Sequence, residues 1–262
     1  MKNNEYMMKA EHLFKTFPGG STALSDVSLS ILKGECKGVV GESGSGKSTL
    51  AKCLTFIEKA DKGSIIVDGQ LINPRKKASI AQARKKIQVV FQNPAASFNP
   101  KLKMLTSVME PLDNQKNEVW PLDTSQKKPL SRRDYASYLF DLTGLPARYL
   151  DCYPHELSGG QKQRAAIARS ISTKPSLIIL DEPTASLDVS IQGNVLNLLK
   201  DLQETFQLSY LFISHDLAAV RFMSDSIVVM NKGRIIDSFN SEDMFSEDRH
   251  AYTKELIHVF EA

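Results

Sequence analysis

The run GESGSGKS, Gly41 to Ser48, constrains this chain more than any other stretch. It follows CKGVVG, a short apolar segment that reads as a strand ending in glycine. It opens KSTLAKCLTFI, where Leu50, Leu54 and Ile57 recur at helical spacing. A strand, a glycine loop and a helix in that order, with the spacing GxxxxGK[ST], make a phosphate-binding turn. Gly41, Gly44 and Gly46 let successive backbone N–H groups turn inward and form an anion nest at the positive end of the helix. The whole loop, Glu42, Ser43 and Ser45 included, is a candidate nucleotide-binding segment. Lys47 has the reach for the β- and γ-phosphates, Ser48 offers a hydroxyl to Mg²⁺, and Thr49 lines the phosphate pocket.

A matching acidic pair lies far downstream. SLIILDEP is an apolar strand that ends in Asp181, which places a carboxylate at the carboxyl edge of a sheet, where it can bind Mg²⁺ directly or through water. Glu182, one residue on, is positioned to accept a proton from an attacking water or to orient it. The final third alternates strands with helices: a helix bearing Ile191, Val195, Leu198, Leu199 and Leu202, the strand LSYLFIS, the helix DLAAVRFM, and two strands about an Asn-Lys-Gly turn. Such alternation predicts an α/β fold with a mainly parallel sheet, whose ligands gather at the strands' carboxyl ends. Gln92 follows the strand IQVVF and His215 follows LFIS, so topology puts both at that edge. For His215 this placement alone supports a packed loop residue equally well.

A second glycine-rich run, LSGGQKQR from Leu157 to Arg164, is one loop more than a single nucleotide requires. It comes after a stretch of different texture. From Asn93 to Tyr153 there are six prolines, two helical candidates around Lys103 to Met109 and Ser131 to Leu142, and no convincing strand, which predicts an inserted helical lobe. Within it, Asp113 to Pro129 reads as a polar loop carrying Trp120, the only tryptophan.

Composition excludes several classes. A net charge of +3, with only short basic clusters, gives no footprint for nucleic acid. Three widely spaced cysteines make no disulfide framework or zinc site and fit a reducing cytoplasm. No apolar run approaches the roughly 20 residues that span a bilayer, so any membrane role comes through partners.

The phosphate loop, Gln92, LSGGQ, ILDEP, SLD (Ser186 to Asp188) and His215 stand in the order and spacing of the ATP-binding cassette ATPases, which the chain resembles over nearly its whole length. The resemblance implies one P-loop ATPase domain over 1–262, with an antiparallel β subdomain beside the parallel sheet and the helical lobe inserted at about 93–156. It implies ATP and Mg²⁺ as cofactors, Gln92 as the residue that touches Mg²⁺ and the water and faces a membrane partner, and His215 at the γ-phosphate. Asp188 then belongs to the D-loop, and Phe17 looks like the aromatic that stacks on adenine. Ser158, Gly159, Gly160 and Gln161 cap the γ-phosphate of an ATP held by the opposite subunit, which accounts for the second loop. The implied partners are a second cassette, identical or paralogous, transmembrane permease subunits and, indirectly, an extracellular or periplasmic solute-binding protein. The implied location is the cytoplasmic face of the membrane.

Two stretches resemble the dipeptide, oligopeptide and nickel uptake branch. FQNPAASFNP (Phe91 to Pro100) is similar to that branch's FQDPxxSLNP, with Phe98 for Leu, and RHAYTKEL (Arg249 to Leu256) to its HPYTxxL, with Ala251 for Pro. The chain stops at Ala262 without the cysteine-bearing extension of many peptide members, which keeps nickel and metallophore importers beside peptide importers as expected functions. The alternative is a soluble ATPase of the same type acting on DNA or ribosomes. Such chains usually carry tandem cassettes or a long coiled-coil insertion, and neither is present. A GTPase would want an NKxD motif, which is missing.

Overall fold

The structure is a computed structural model that describes residues 5–114, 122–123, 128–185 and 187–261. Trp120, most of the 113–129 loop and Ser186 lie outside the described residues. Along the chain come β1 (Tyr6–Thr16), β2 (Thr22–Leu32), β3 (Cys36–Val40), α1 (Lys47–Leu54), β4 (Lys62–Val67), β5 (Gln70–Leu71), α2 (Lys77–Lys86) and β6 (Ile87–Val90). Then follow α3 (Met104–Asp113), a two-residue pair β7 (Leu122–Asp123) and β8 (Lys128–Pro129), α4 (Arg132–Leu142) and α5 (Gly159–Ile171). The last part holds β9 (Leu177–Asp181), α6 (Val189–Phe206), β10 (Ser209–Ile213), α7 (Leu217–Met223), β11 (Ser226–Asn231), β12 (Arg234–Asn240) and α8 (Ala251–Glu261).

The chain divides into two compact units. The first takes residues 1–89, 176–182 and 199–262. It contains an antiparallel sheet in the order β2-β1-β4-β5 and a larger sheet in the order β12-β11-β3-β10-β9-β6. β9, β10, β3 and β11 run parallel, and β12 closes one edge antiparallel. Every residue of β9 (LIILD) and of β10 (SYLFI) is buried, as continuous apolar runs in the middle of a covered parallel sheet must be. The functional consequence is register: Asp181 is paired with Ile213, so the segments after β9 and β10 leave the sheet side by side.

The second unit takes residues 90–175 and 183–198, and the 93–156 segment lies inside it. Met104, Val108, Met109 and Leu112 of α3, Tyr135, Ala136, Leu139 and Phe140 of α4, and Ala165, Ile167 and Ala168 of α5 are buried in it. Ser131 caps α4 by accepting the Asp134 N–H at 3.1 Å, and the Tyr135 hydroxyl donates to the Ser172 carbonyl at 2.8 Å behind α5.

Local readings needed correction in four places. Ile57 does not continue the face of α1. The helix stops at Leu54, Phe56 takes a left-handed φ of 59°, and the N–H groups of Ile57 and Glu58 both return to the Lys52 carbonyl, leaving Ile57 half exposed. On α6 the fully buried positions are Val195, Leu196, Leu199 and Leu202, while Ile191 and Leu198 are half buried. The pair β7 and β8 is strand structure in a stretch read as having none, too short to show as alternation. The basic KASIAQARKK is the helix α2, which buries only Ala83 and so carries almost no amphipathic signal.

Candidate nucleotide site

In the first unit the loop after β3 is shaped by two close approaches. Gly41 (φ 150°) and Gly46 (φ 107°) adopt backbone conformations that side chains rarely tolerate, and a Cβ on them would lie 2.2 Å from the Met230 carbonyl oxygen and 2.5 Å from that of Ala23. Gly46 caps α1, whose first residue is Lys47. That lysine is only 6% exposed and folds back over the loop, its Nζ donating to the carbonyls of Gly41 at 2.6 Å and Glu42 at 2.8 Å, with Ser45 Oγ at 3.5 Å. Burial lowers its pKa, against an upward pull from Glu182, Asp181 and Glu42. Glu42, Ser43, Gly44 and Ser48 are exposed, Thr49 is half buried and Ser45 is buried.

The acidic end of β9 belongs to the same unit. Asp181 is 7% exposed, and Ser48 Oγ donates to its Oδ1 at 3.4 Å. Burial raises the carboxyl's pKa and Glu182 pushes the same way, while Ser48 and Lys47 lower it. Glu182 has φ 50°, left-handed for a residue with a side chain, which costs about 1–2 kcal/mol. Its N–H donates to the Ile213 carbonyl at 2.8 Å, and its Oε1 lies 3.4 Å from His215 Nδ1. His215 is largely exposed, between Ser214, whose N–H reaches the Val39 carbonyl, and Asp216, whose carboxylate caps α7 through the N–H groups of Ala218 and Ala219. Lys47, Ser48, Asp181, Glu182 and His215 are therefore gathered at one edge of one sheet. Phe17 lies in the β1–β2 hairpin of this unit, half buried, with Lys15 Nζ 5.1 Å from its ring centroid. Lys15 is held by the Lys59 carbonyl at 2.9 Å and Glu58 at 3.4 Å.

In the second unit Gln92 is exposed just beyond β6. Ser158 caps α5 in a reciprocal capping box, its Oγ accepting the Gln161 N–H at 3.3 Å while Gln161 Oε1 accepts the Ser158 N–H at 2.9 Å. Gln161 Nε2 donates to the Tyr149 hydroxyl at 3.0 Å, so this side chain is engaged within its own unit. Among the described residues, beyond its chain neighbours and its own helix's backbone, no heavy atom lies within 4 Å of a Cβ on Gly159, whereas at Gly160 a Cβ would lie 3.0 Å from Ile191 Cγ2. Asp188 is exposed and its carbonyl starts α6 by accepting the N–H groups of Ile191 and Gln192. Phe98, where the related pattern has leucine, is buried beneath the Arg169 guanidinium, 4.8 Å from its ring, and Arg169 donates to the Ser97 carbonyl at 2.6 Å.

Sequence reasoning did not find Lys15, Tyr149 or Tyr252. For Tyr252 the motif RHAYTKEL was a signal without a role, and its hydroxyl lies 3.4 Å from the Glu42 nitrogen.

A phosphate-binding loop ahead of a helix, on a mainly parallel sheet with two acids at the end of the next strand but one, defines a P-loop nucleoside-triphosphatase. A family model described as "ABC transporter" matches residues 24–185. The chain is 43% identical over 235 residues to a dipeptide transport ATP-binding protein of Haemophilus influenzae, covering 90% of this chain and 69% of that one. It is 39% identical over 260 residues to an oligopeptide transport ATP-binding protein of Streptococcus mutans, covering 98% and 82%. Among solved structures it is similar to cbiO1 from Clostridium perfringens, part of the ABC transporter complex cbiONQ, with a TM-score of 0.79 at 30% identity over 97% of this chain and 94% of that one. A dimeric ATP-binding cassette bound to ADP and Pi in a post-hydrolysis state gives a TM-score of 0.78 at 30% identity, over 90% of this chain and 99% of that one. The chain belongs to the ABC transporter family and is an ATP-binding cassette ATPase. The soluble alternative acting on DNA or ribosomes does not fit these relatives.

Proposed function

We propose that this ATPase drives the import of peptides, as one of two cassettes set beneath transmembrane permease subunits at the cytoplasmic face of the membrane. The carrying observation is the gathering of Lys47, Ser48, Asp181, Glu182 and His215 at one sheet edge. The peptide-transport names of the relatives favour peptides over nickel or metallophores as cargo. Among the described residues no helix is long and apolar enough to cross a membrane, in keeping with attachment through partners. A solute-binding protein outside the membrane would act only indirectly.

The residues fit Mg²⁺. Ser48 Oγ and a buried Asp181 carboxylate 3.4 Å apart offer hard oxygen donors, and an ion held by one carboxylate, one hydroxyl, substrate phosphates and water needs no larger protein cage. When bound it neutralises charge on the β- and γ-phosphate oxygens. Lys47, released from the Gly41 and Glu42 carbonyls, turns its ammonium to the phosphates, and the loop N–H groups hold them. Glu182 accepts the proton of the attacking water, His215 fixes the orientation of its carboxylate and contacts the γ-phosphate, and Gln92, in the second unit, communicates with the permease. Phe17 stacks on adenine. Ser158, Gly159 and Gly160 approach the γ-phosphate of the partner cassette's ATP, so ATP closes the dimer and hydrolysis opens it.

The test is Glu182→Gln, an isosteric change that removes the proton acceptor. ATPase turnover should fall 10²–10⁴-fold, the usual worth of a general base, with ATP affinity within about threefold and peptide uptake by cells abolished. Near-normal turnover removes Glu182 from the base role, and intact uptake despite lost turnover overturns the coupling to import.

A further inference from the structure

The segment Arg249 to Thr253 is tied down at both ends within the first unit. Asp237, on β12, is its anchor: Oδ2 accepts the His250 N–H at 2.9 Å and the Thr253 hydroxyl at 2.8 Å. Arg249 Nη1 lies 3.6 Å from Asp237 Oδ1, and its guanidinium stacks over Phe239, 4.5 Å from the ring centroid. The Tyr252 N–H donates to His250 Nδ1 at 3.1 Å. The first turn of α8 is thereby fixed to the sheet, and it presents Tyr252 to the phosphate loop, where its hydroxyl accepts the Glu42 N–H at 3.4 Å.

That N–H has a particular partner. The Glu42 nitrogen and the Gly41 carbonyl belong to one rigid peptide plane. Lys47 Nζ holds the carbonyl end at 2.6 Å and Tyr252 holds the N–H end. The plane follows Gly41, whose φ of 150° comes from a residue with little torsional preference of its own, so these two bonds help to fix the plane's orientation. Glu42 is also the residue whose carbonyl accepts both Lys47 Nζ at 2.8 Å and the Ser45 N–H at 3.2 Å. An error in its placement shifts the loop whose N–H groups form the anion nest. The raised pKa of the Tyr252 phenol, from partial burial first and the neighbouring Glu42 carboxylate as well, agrees with a hydroxyl packed against this residue.

We propose that Tyr252 is a positioning residue for nucleotide binding: anchored through Asp237, it sets the Gly41–Glu42 peptide, and so makes the RHAYT segment part of the phosphate-loop machinery. The proposal rests on the reading of Gly41 to Ser48 as the phosphate loop. Losing one such hydrogen bond raises the dissociation constant and KM for ATP about three- to tenfold, and those for ADP likewise, while kcat stays within twofold because the groups at the reacting atoms are untouched.

The experiment compares Tyr252→Phe, Asp237→Ala, the double variant and Lys47→Ala in the full chain, by calorimetric titration with ATP and ADP, by steady-state ATPase and by thermal unfolding. Expected are a KM rise without a kcat change in Tyr252→Phe, a comparable rise in Asp237→Ala, and no further rise in the double variant, since both act through one bond. The unfolding midpoint of Tyr252→Phe should stay within about 2 °C of the parent, which separates positioning from loss of fold. Unchanged affinities in Tyr252→Phe, or a fall in kcat at constant KM, overturn the proposal provided Lys47→Ala has lost nucleotide. Retained binding in Lys47→Ala overturns the loop reading itself, and the proposal with it.

Discussion

Replacing Gly159 by alanine tests why a glycine stands at the start of α5. Among the described residues no heavy atom beyond its chain neighbours and its own helix's backbone lies within 4 Å of a Cβ there, and the backbone is not in the left-handed region that would strain a side chain. No contact among the described residues requires glycine. Alanine at such a site restricts the unfolded chain and should stabilise the fold by about 0.4–1 kcal/mol, which raises the unfolding midpoint of a chain this size by about 1–4 °C. In the proposed dimer, however, the empty space is filled by the γ-phosphate of the partner's ATP, and a methyl group there displaces it from the α5 N–H groups. Loss of one such preorganised donor is worth about 10²–10³ in turnover, or about 2.7–4 kcal/mol. The variant should therefore be more stable and at least 100-fold less active. The assay pairs differential scanning calorimetry without nucleotide with ATPase measurements at concentrations where dimers form. Turnover within twofold of the parent would refute a γ-phosphate at this position, and a lowered midpoint would refute the premise of open space.

Two further substitutions separate shape from charge. Gly46→Ala places a methyl 2.5 Å from a backbone carbonyl in a left-handed conformation, so strain and overpacking together should destabilise the fold by about 2–5 kcal/mol in urea unfolding; a loss below about 1 kcal/mol would mean that the loop is not held as described. Asp181→Asn should do the opposite: because burial raises this carboxyl's pKa above its unfolded value, the folded chain holds the proton more tightly, and stability falls as pH rises from the unfolded carboxylate range through the raised pKa. Removing the buried charge should stabilise the nucleotide-free fold at neutral pH by about 1 kcal/mol and flatten that pH slope, with ATPase lost; an unchanged slope in the unfolding titration would count against the buried charge.

How legible each part was depends on how its residues are spaced. The phosphate loop was readable because its demands fall on consecutive residues: glycine where φ is positive, lysine and serine at the helix start. Asp181 and Glu182 were readable because an all-apolar strand ending in two acids has few other uses. The end of α1 was misplaced because Ile57 matches the helical period, and only the return of two N–H groups to Lys52 shows that the chain has already turned. α2 escaped because a helix that buries a single alanine leaves no pattern of period 3.6.

The sequence alone therefore determined the class of fold, the strand–loop–helix and strand–acid segments that carry the site, and the chemical identity of the candidate site, since these rest on local propensity, short-range periodicity and residue types that only certain chemistry requires. Only the tertiary structure decided which carboxylate faces which partner: Ser48 against Asp181, Glu182 beside His215 in a left-handed turn, and Lys47 folded onto the Gly41 and Glu42 carbonyls. It also decided that Tyr252 meets Glu42, 210 positions away, because no local rule relates two residues whose proximity exists only once β12 is paired to the sheet and Asp237 has captured the first turn of α8.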